Sequence, residues 1–441
     1  MTPEQILTLA VLAAVVAALI WDKVRSDVVA LAGAAILLMT GVVRPVEVQA
    51  AFASPAIVAL ASLFVIAYAM ELSGLLDAGI RLVVSLCKRI GSAGLWILIG
   101  LAGGASAFLN NTPIVVLSAP VVRDVAKSLG RSPKRYLIPL SYSAVLGGCC
   151  TLIGTSTNLL VNDMAAVAGQ PRFGIFEITP AGLMVAAAGG LYLMLFSARL
   201  VGTGEGKEPK GVRQAMEAAE DFREPGLAGG LIGSAEPFAE EVTLRPWAAL
   251  LSSLVFVGVV VLAALNVAPI AACAFAGAVL LILLRVITAN EAYGGLRPEV
   301  LMLIAGMVVL GIALEETGLA GSATTMLIGS MDGMSPPLAL IILYGTTLFA
   351  TEILSNATVA VLFTPIAVAI AEAFAVSPRP FLVAVMLAGS AAFATPFGYQ
   401  TNVIVYQMGG YNYLDFVKIG IPLNIITWVV GIIAIRMYFP F

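Results

Sequence analysis

The sequence predicts an all-α integral membrane protein made of two inverted repeats, each with five transmembrane helices and one re-entrant hairpin. Two observations lead to this prediction. The 441 residues are 60% hydrophobic and only 11% charged, whereas soluble domains carry roughly 25% charged residues. In addition, the apolar residues stand in long runs that are interrupted by polar motifs, and these motifs recur about 244 residues apart.

The composition excludes several classes of protein. The chain has no histidine, which excludes Ser-His or Cys-His catalysis and His-ligated zinc. A net charge of -3 with scattered basic residues offers no basic face for nucleic acid. The four cysteines lack CxxC spacing and are expected to be small buried hydrophobes. We therefore expect no enzyme and no cofactor, and the first apolar run, which lacks a basic signal region, should be retained.

A bilayer is spanned by about 20 apolar residues. Two apolar stretches, 93–124 and 337–375, are longer and are broken by polar residues, so we expect both to be re-entrant hairpins, because such breaks need protein or water around them. Ten other stretches are expected to be crossings. They lie near 5–21, 28–43, 55–73, 137–167, 179–198, 247–265, 268–287, 299–315, 380–407 and 418–438.

The basic residues orient these crossings. If both termini lie outside the cell, 19 of the 23 Lys and Arg residues fall on the cytoplasmic side of the membrane, as the positive-inside rule requires. The polar segment 201–246 is expected to be a cytoplasmic linker with one short helix near Val212 to Phe222. The four outer residues are Arg44, Arg172, Arg379 and Arg436.

An internal repeat divides the chain into 1–200 and 247–441. Asn111 aligns with Asn356 at an offset of 245, and the segment from Thr151 to Asn158 aligns with 395–402 at 244. Each half holds one hairpin and one broken helix, 137–167 in the first and 380–407 in the second. Because five crossings are an odd number, the second half should be inverted. Inverted repeats with interrupted helices are typical of secondary transporters.

The helix breaks supply ion-binding groups. A broken helix presents backbone N–H groups at one end and carbonyls at the other, so it can hold an anion, and its carbonyls and asparagine oxygens can bind sodium. Gly154 and Gly398 would let the backbone approach a ligand. No Lys or Arg falls in the breaks, so helix N-termini and co-bound cations would have to balance the charge of an anion. Binding of the anion and binding of the cations would therefore depend on each other.

Two carboxylates leave alternatives open. Glu352 lies in the second hairpin and Asp163 in the first broken helix. Glu352 could have a structural role, or it could bind a proton or a cation. An arsenite-type or sodium/proton exchanger would need such a titratable group near the midplane, and an anion channel is a further alternative.

At these breaks the sequence resembles the divalent anion:sodium symporter family of the ion transporter superfamily. The paired motifs Asn110-Asn111-Thr112 and Ser355-Asn356-Ala357 are similar to the duplicated Ser-Asn-Thr signature of that family. The resemblance implies a homodimer in which a transport domain moves against a scaffold in an elevator-type cycle.

The resemblance also implies the site residues. One sodium site would be formed by Ser106, Asn110, Asn111 and Gly154, and the other by Thr351, Leu354 (backbone), Asn356 and Gly398. Substrate would contact Asn111, Thr112, Thr155, Ser355, Asn356 and Tyr399.

The motifs also depart from the family pattern. Asn110 stands in place of the Ser of the first motif and Ala357 in place of the Thr of the second, which removes one hydroxyl from the anion site. The endings Ser156-Thr157-Asn158 and Gln400-Thr401-Asn402 look more like the sulfate-permease-like branch. We therefore expect a multi-pass carrier in the cell inner (plasma) membrane that couples sodium to a small divalent anion. Sulfate is placed ahead of C4-dicarboxylates and citrate.

Overall fold

The computed structural model describes residues 2–21, 24–75, 78, 91–200, 244–265, 267–319, 334–396 and 398–441. Within these residues the chain forms eighteen α-helices and no β-strand. Six helical stretches in the described ranges are long and apolar enough to cross a membrane, and six shorter helices are also apolar. The prediction of an all-α membrane protein is confirmed. The helix expected near 212–222 lies outside the described residues, as does nearly all of the linker.

The first half of the described chain contains nine helices. The expected hairpin 93–124 corresponds to α5 and α6, and the expected broken helix 137–167 corresponds to α7 and α8. The bounds are α1 Pro3–Trp21, α2 Ser26–Met39, α3 Pro45–Phe52, α4 Pro55–Leu72, α5 Ser92–Ser106, α6 Asn111–Ser128, α7 Lys134–Gly148, α8 Ser156–Val167 and α9 Thr179–Leu200.

The second half contains nine more described helices in the same order. Here the hairpin 337–375 corresponds to α14 and α15, and the broken helix 380–407 to α16 and α17. The bounds are α10 Pro246–Ala264, α11 Ile270–Leu283, α12 Ala289–Gly294, α13 Pro298–Glu316, α14 Pro336–Ala350, α15 Asn356–Ala373, α16 Arg379–Gly389, α17 Gln400–Gly409 and α18 Tyr413–Tyr438.

The packing of the helices also repeats between the halves. Helix α5 packs on α7, and α14 packs on α16 in the same way. Contacts between the halves come in matched pairs as well: α2 packs on α13 and α11 on α4, while α6 packs on α17 and α15 on α8. This pattern supports two copies of one unit. That they enter the membrane from opposite sides stays a prediction.

Helices α7 and α16 form the centre of the core. Every residue of α16 from Pro380 to Gly389 is buried, and a helix that is apolar on all sides is buried by other helices. Helix α7 packs closely on α5 because Gly147 faces Gly103, whose carbonyl leaves no room for a Cβ on Gly147. The helices that border the four breaks are therefore held against a rigid centre.

New helices start at three of the breaks with a side-chain cap. Asn110 accepts a hydrogen bond from the Thr112 amide, 3.2 Å away, at the start of α6. Thr155 caps α8 and Ser355 caps α15 in the same manner, at 3.4 Å and 3.2 Å. Such caps satisfy an N–H group that the helix itself leaves unpaired. Polar residues at these places therefore end one helix and begin the next.

Glu352 fixes the break between α16 and α17 to the second hairpin. Its carboxylate accepts hydrogen bonds from the backbone N–H groups of Phe393, Ala394 and Thr395 at 2.7 to 2.9 Å. The Asn424 side chain of α18 donates a further bond of 2.7 Å. Four donors would otherwise be unpaired, so the contacts of this carboxylate are structural.

We predict that Glu352→Ala lowers the melting temperature of the detergent-purified protein by about 5 °C or more. Each buried donor left unpaired costs about 1–3 kcal/mol, and a loss of 1 kcal/mol lowers the melting temperature by roughly 2 °C in a large domain. Asp124→Ala is the matched control, because Asp124 forms only an exposed ion pair with Arg123. An alanine variant of Glu352 that melts within 1 °C of the wild type would show that the carboxylate does not hold the break.

Candidate functional site

The breaks of the first hairpin and of the second broken helix meet across the two halves. The side-chain amide of Asn111 donates a hydrogen bond of 2.7 Å to the Tyr399 hydroxyl. Next to it, the Thr112 hydroxyl lies 3.2 Å from the side-chain oxygen of Gln400. Residues 288 positions apart in the sequence therefore form one polar cluster between the N-termini of α6 and α17.

Oxygen atoms crowd around the first hairpin break. The Ser106 hydroxyl donates to the Asn111 side-chain oxygen. A Cβ added to Gly154 would lie 2.5 Å from the Gly148 carbonyl oxygen and 2.9 Å from that of Ala107. One added to Gly148 would lie 2.9 Å from the Asn111 side-chain oxygen and 3.2 Å from the Gly154 carbonyl oxygen. This first oxygen cluster has the chemistry that hard cations prefer.

The second hairpin break has an equivalent oxygen cluster. The Thr351 hydroxyl lies 2.8 Å from both the Asn356 side-chain oxygen and the Gly389 carbonyl oxygen. A Cβ added to Gly398 would lie 2.7 Å from the Thr395 hydroxyl and 3.5 Å from the Thr351 carbonyl oxygen. In both clusters a hydroxyl bonds the asparagine five residues later, Ser106 to Asn111 and Thr351 to Asn356. The repeat thus places the same side-chain pair in each half.

Two residues of the expected sodium sites, Asn110 and Leu354, use their polar groups to end or begin a helix. The Asn110 side chain is used to cap α6, and Leu354 completes the turn after α14, where its N–H donates to the Ala350 carbonyl at 2.9 Å. Asn110 lies in the first hairpin break and Leu354 in the second. Both residues therefore shape the breaks that contain the two clusters.

The expected substrate contacts fall into two groups. Asn111, Thr112 and Tyr399 form one group, in which the Asn111 amide donates to the phenol of Tyr399 and Thr112 lies beside Gln400. Thr155 lies at the start of α8, which it caps. Ser355 and Asn356 lie in the second hairpin, where the Ser355 hydroxyl bonds Thr358. The first group is joined by direct side-chain bonds between the halves.

Asn158 and Asn402 hold the broken helices in shape. The Asn158 amide donates to the Thr151 carbonyl at 2.9 Å, and the Asn402 amide donates to the carbonyls of Ala392 and Thr395 at 2.9 and 3.2 Å. Both side chains are 0% exposed. These two asparagines therefore satisfy backbone carbonyls that the breaks expose, and they stabilise the shape of the breaks.

Asp163, the other carboxylate considered from the sequence, is also engaged. It is 1% exposed and lies 3.0 Å from the Arg172 guanidinium. Its second oxygen is 3.4 Å from the hydroxyl of Ser54, which caps α4. The carboxylate thus links α8 to the start of α4, and its charge is balanced by a neighbouring arginine.

Sequence reasoning missed four contributors to the site. Thr395 and Gln400 lie within the repeated segment 395–402, so the repeat itself carried a signal for them. Gly148 and Gly389 contribute carbonyl oxygens at the ends of α7 and α16. The sequence indicates these two residues only through their position at a helix end, where carbonyls are exposed, and this position is known only once the helix bounds are known.

The family comparison agrees with the membrane fold. A family model described as "CitMHS: Citrate transporter" matches residues 16–377, which is most of the chain. The crystal structure of the YdaH transporter of Alcanivorax borkumensis has a similar fold, with a TM-score of 0.52 over 89% of this chain and 86% of that chain. The sequence identity is 15%, so this likeness concerns the fold alone.

Curated relatives with a substrate in their names include the following two. The probable sodium/sulfate cotransporter 3 of Chlamydomonas reinhardtii is 45% identical over 97 residues, which make up 20% of this chain and 11% of that protein. The sodium-dependent dicarboxylate transporter SdcS of Staphylococcus saprophyticus is 24% identical over 92% of this chain and 80% of that protein.

These matches confirm the resemblance to the divalent anion:sodium symporters that the hairpin motifs indicated. They also indicate a membrane transporter rather than an enzyme. The chain belongs to the citrate transporter (CitMHS) family.

Proposed function

We propose that the protein is a symporter that uses a sodium gradient to import a small divalent anion across the plasma membrane, with sulfate as the first candidate. Support for sulfate comes from the relative named as a probable sodium/sulfate cotransporter. A C4-dicarboxylate is the second candidate, because the dicarboxylate transporter SdcS aligns with 92% of the chain, and the family description makes citrate a third.

One observation carries the proposal: the two oxygen clusters are equivalent. Ser106 with Asn111 and Thr351 with Asn356 form the same hydroxyl-to-amide pair at matched breaks. A residue from a helix end lies beside each pair: Gly148 faces the Asn111 side chain in the first cluster, and the Gly389 carbonyl lies 2.8 Å from the Thr351 hydroxyl in the second. Unwound carbonyls and helix ends are the groups that bind sodium in transporters with repeated, broken helices. We therefore assign one sodium ion to each cluster.

The anion would lie between the clusters, at the helix N-termini. Helices α6, α8, α15 and α17 all begin at the breaks, and a helix N-terminus offers N–H groups and a positive dipole end. Since the breaks contain no Lys or Arg, sodium would supply the balancing charge. Coupling then follows from electrostatics, because each ion lowers the cost of bringing the other to membrane depth.

Transport requires that the ions bind two conformations with different access. We expect the hairpins and broken helices to move together against the remaining helices, in a homodimer, as the resemblance implies. An exchanger is less well supported, because Glu352 accepts four hydrogen bonds and Asp163 is paired with Arg172. Both carboxylates already have structural partners.

Uptake of labelled sulfate into proteoliposomes tests the function. We expect uptake to follow an inward sodium gradient and to fall at least about tenfold when potassium or choline replaces sodium, because an unbalanced dianion binds poorly in a buried site. Liposomes without protein are the control. Sulfate uptake that is equally fast without sodium would contradict the coupling, and saturable succinate uptake without sulfate uptake would select the second candidate.

We predict that Asn111→Ala and Asn356→Ala each reduce uptake to about 1% of the wild-type rate. Each change removes both an oxygen of a cluster and an amide donor, a loss of about 3 kcal/mol, or roughly 100-fold. Asn290→Ala, at an exposed position of α12, is the matched control and should transport normally. Size-exclusion profiles check folding, and near-normal uptake by both variants would place the site elsewhere.

We also predict that Thr351→Val raises the sodium concentration for half-maximal uptake by about tenfold. The change keeps the shape of the side chain and removes the hydroxyl that lies 2.8 Å from two other oxygens of the second cluster; one lost ligand costs about 1–2 kcal/mol. Thr346→Val is the control, because its hydroxyl bonds only carbonyls of its own helix on an exposed face. Equal sodium dependence in both variants would remove Thr351 from the sodium site.

A further inference from the structure

The two halves differ at one position next to the proposed anion site. Thr155 precedes α8 and Tyr399 precedes α17, and the two are 244 residues apart in the repeat. Their backbones are alike, with φ and ψ of -141° and 145° for Thr155 and -146° and 140° for Tyr399. The repeat therefore places a threonine side chain at one of these points and a phenol ring at the other.

The two side chains point to different partners. Thr155 caps its own helix by accepting a bond from the Thr157 amide, whereas Tyr399 makes no side-chain cap on α17. The phenol instead reaches the first hairpin, where its oxygen accepts a bond of 2.7 Å from the Asn111 amide. Tyr399 is thus held across the boundary between the halves by its bond to Asn111.

The partner of the phenol is a member of the proposed anion site. Asn111 belongs to the expected substrate contacts. Thr112, a second expected contact, lies beside Gln400, the residue that follows Tyr399. The ring of Tyr399 packs against the edge of the hydrophobic core and remains partly exposed. The phenol therefore takes up space in the group of side chains where the anion would bind.

We propose that Tyr399 sets the size limit of this site, so that it admits compact tetrahedral dianions of the sulfate class and excludes dicarboxylates. This inference rests on the proposed function. A ring held by a hydrogen bond to Asn111 and packed on the core does not swing away without losing both contacts, and the bond alone is worth about 1 kcal/mol. A tetrahedral oxyanion is compact, whereas a dicarboxylate has a hydrocarbon spacer that would need the volume of the ring.

The hydroxyl and the ring have separable roles. The phenol oxygen orients Asn111, whose side-chain oxygen belongs to the first oxygen cluster. Removing the hydroxyl should therefore weaken binding of the anion and leave its size limit unchanged. Removing the ring should relax the size limit. This separation distinguishes a specificity residue from one that only supports the fold.

Uptake of labelled sulfate and labelled succinate by proteoliposomes with a sodium gradient tests the inference. The variants are Tyr399→Thr, which installs the residue of the other half, and Tyr399→Phe, which keeps the ring. We expect wild type to favour sulfate over succinate by at least about 100-fold. Tyr399→Thr should raise succinate uptake at least tenfold. Tyr399→Phe should still exclude succinate while its half-saturating sulfate concentration rises about tenfold, which corresponds to the loss of one hydrogen bond.

Tyr413→Thr is the matched control, because Tyr413 lies exposed at the start of α18 and should leave the selectivity unchanged. Three results would overturn the inference: wild type that transports succinate as well as sulfate, Tyr399→Thr that transports sulfate and still excludes succinate, or Tyr399→Phe that admits succinate. Competition of wild-type sulfate uptake by selenate, thiosulfate, malonate and succinate measures the size limit without any variant. Wild type that transports neither labelled anion would instead reject the proposed function, and the size limit with it.

Discussion

The structure depends on one constraint, which is that backbone groups at a helix break inside a membrane must find partners within the protein. Asn158 and Asn402 meet this constraint for carbonyls of the two broken helices. Glu352 meets it for three consecutive amides between α16 and α17. With these groups satisfied, non-helical segments can persist between the buried helices α7 and α16 and the hairpins that pack on them.

The same constraint explains why the candidate site is where it is. At the first hairpin break the carbonyls of Gly148, Gly154 and Ala107 come close together, and new helices start at the breaks. The two hydroxyl-asparagine pairs, Ser106 with Asn111 and Thr351 with Asn356, lie at the same breaks. A membrane protein without a basic residue in its breaks thus gains polar sites for both a cation and an anion from helix geometry.

Much of this arrangement could be predicted from the sequence. The polar interruptions at Asn111 and Asn356 stand out against apolar runs, and the offset between them indicates a repeat. By contrast, the contact between Asn111 and Tyr399 joins positions 288 residues apart, and no local pattern determines such a contact. The role of Glu352 was left open because the sequence does not show which amides face a carboxylate. Helix α18 begins at Tyr413, before the expected crossing at 418, since Asn412 and Asp415 form a capping box that hydropathy does not detect.

Mutual dependence of anion and sodium binding is the property that ties these observations together. The most direct measurement is the equilibrium affinity of the purified protein for sulfate at a series of sodium concentrations, with ionic strength held constant by choline. We predict that the dissociation constant for sulfate falls as sodium rises, and that sulfate tightens sodium binding by the same factor, as linkage requires. A dissociation constant for sulfate that does not change with sodium would contradict the proposed coupling at the helix breaks.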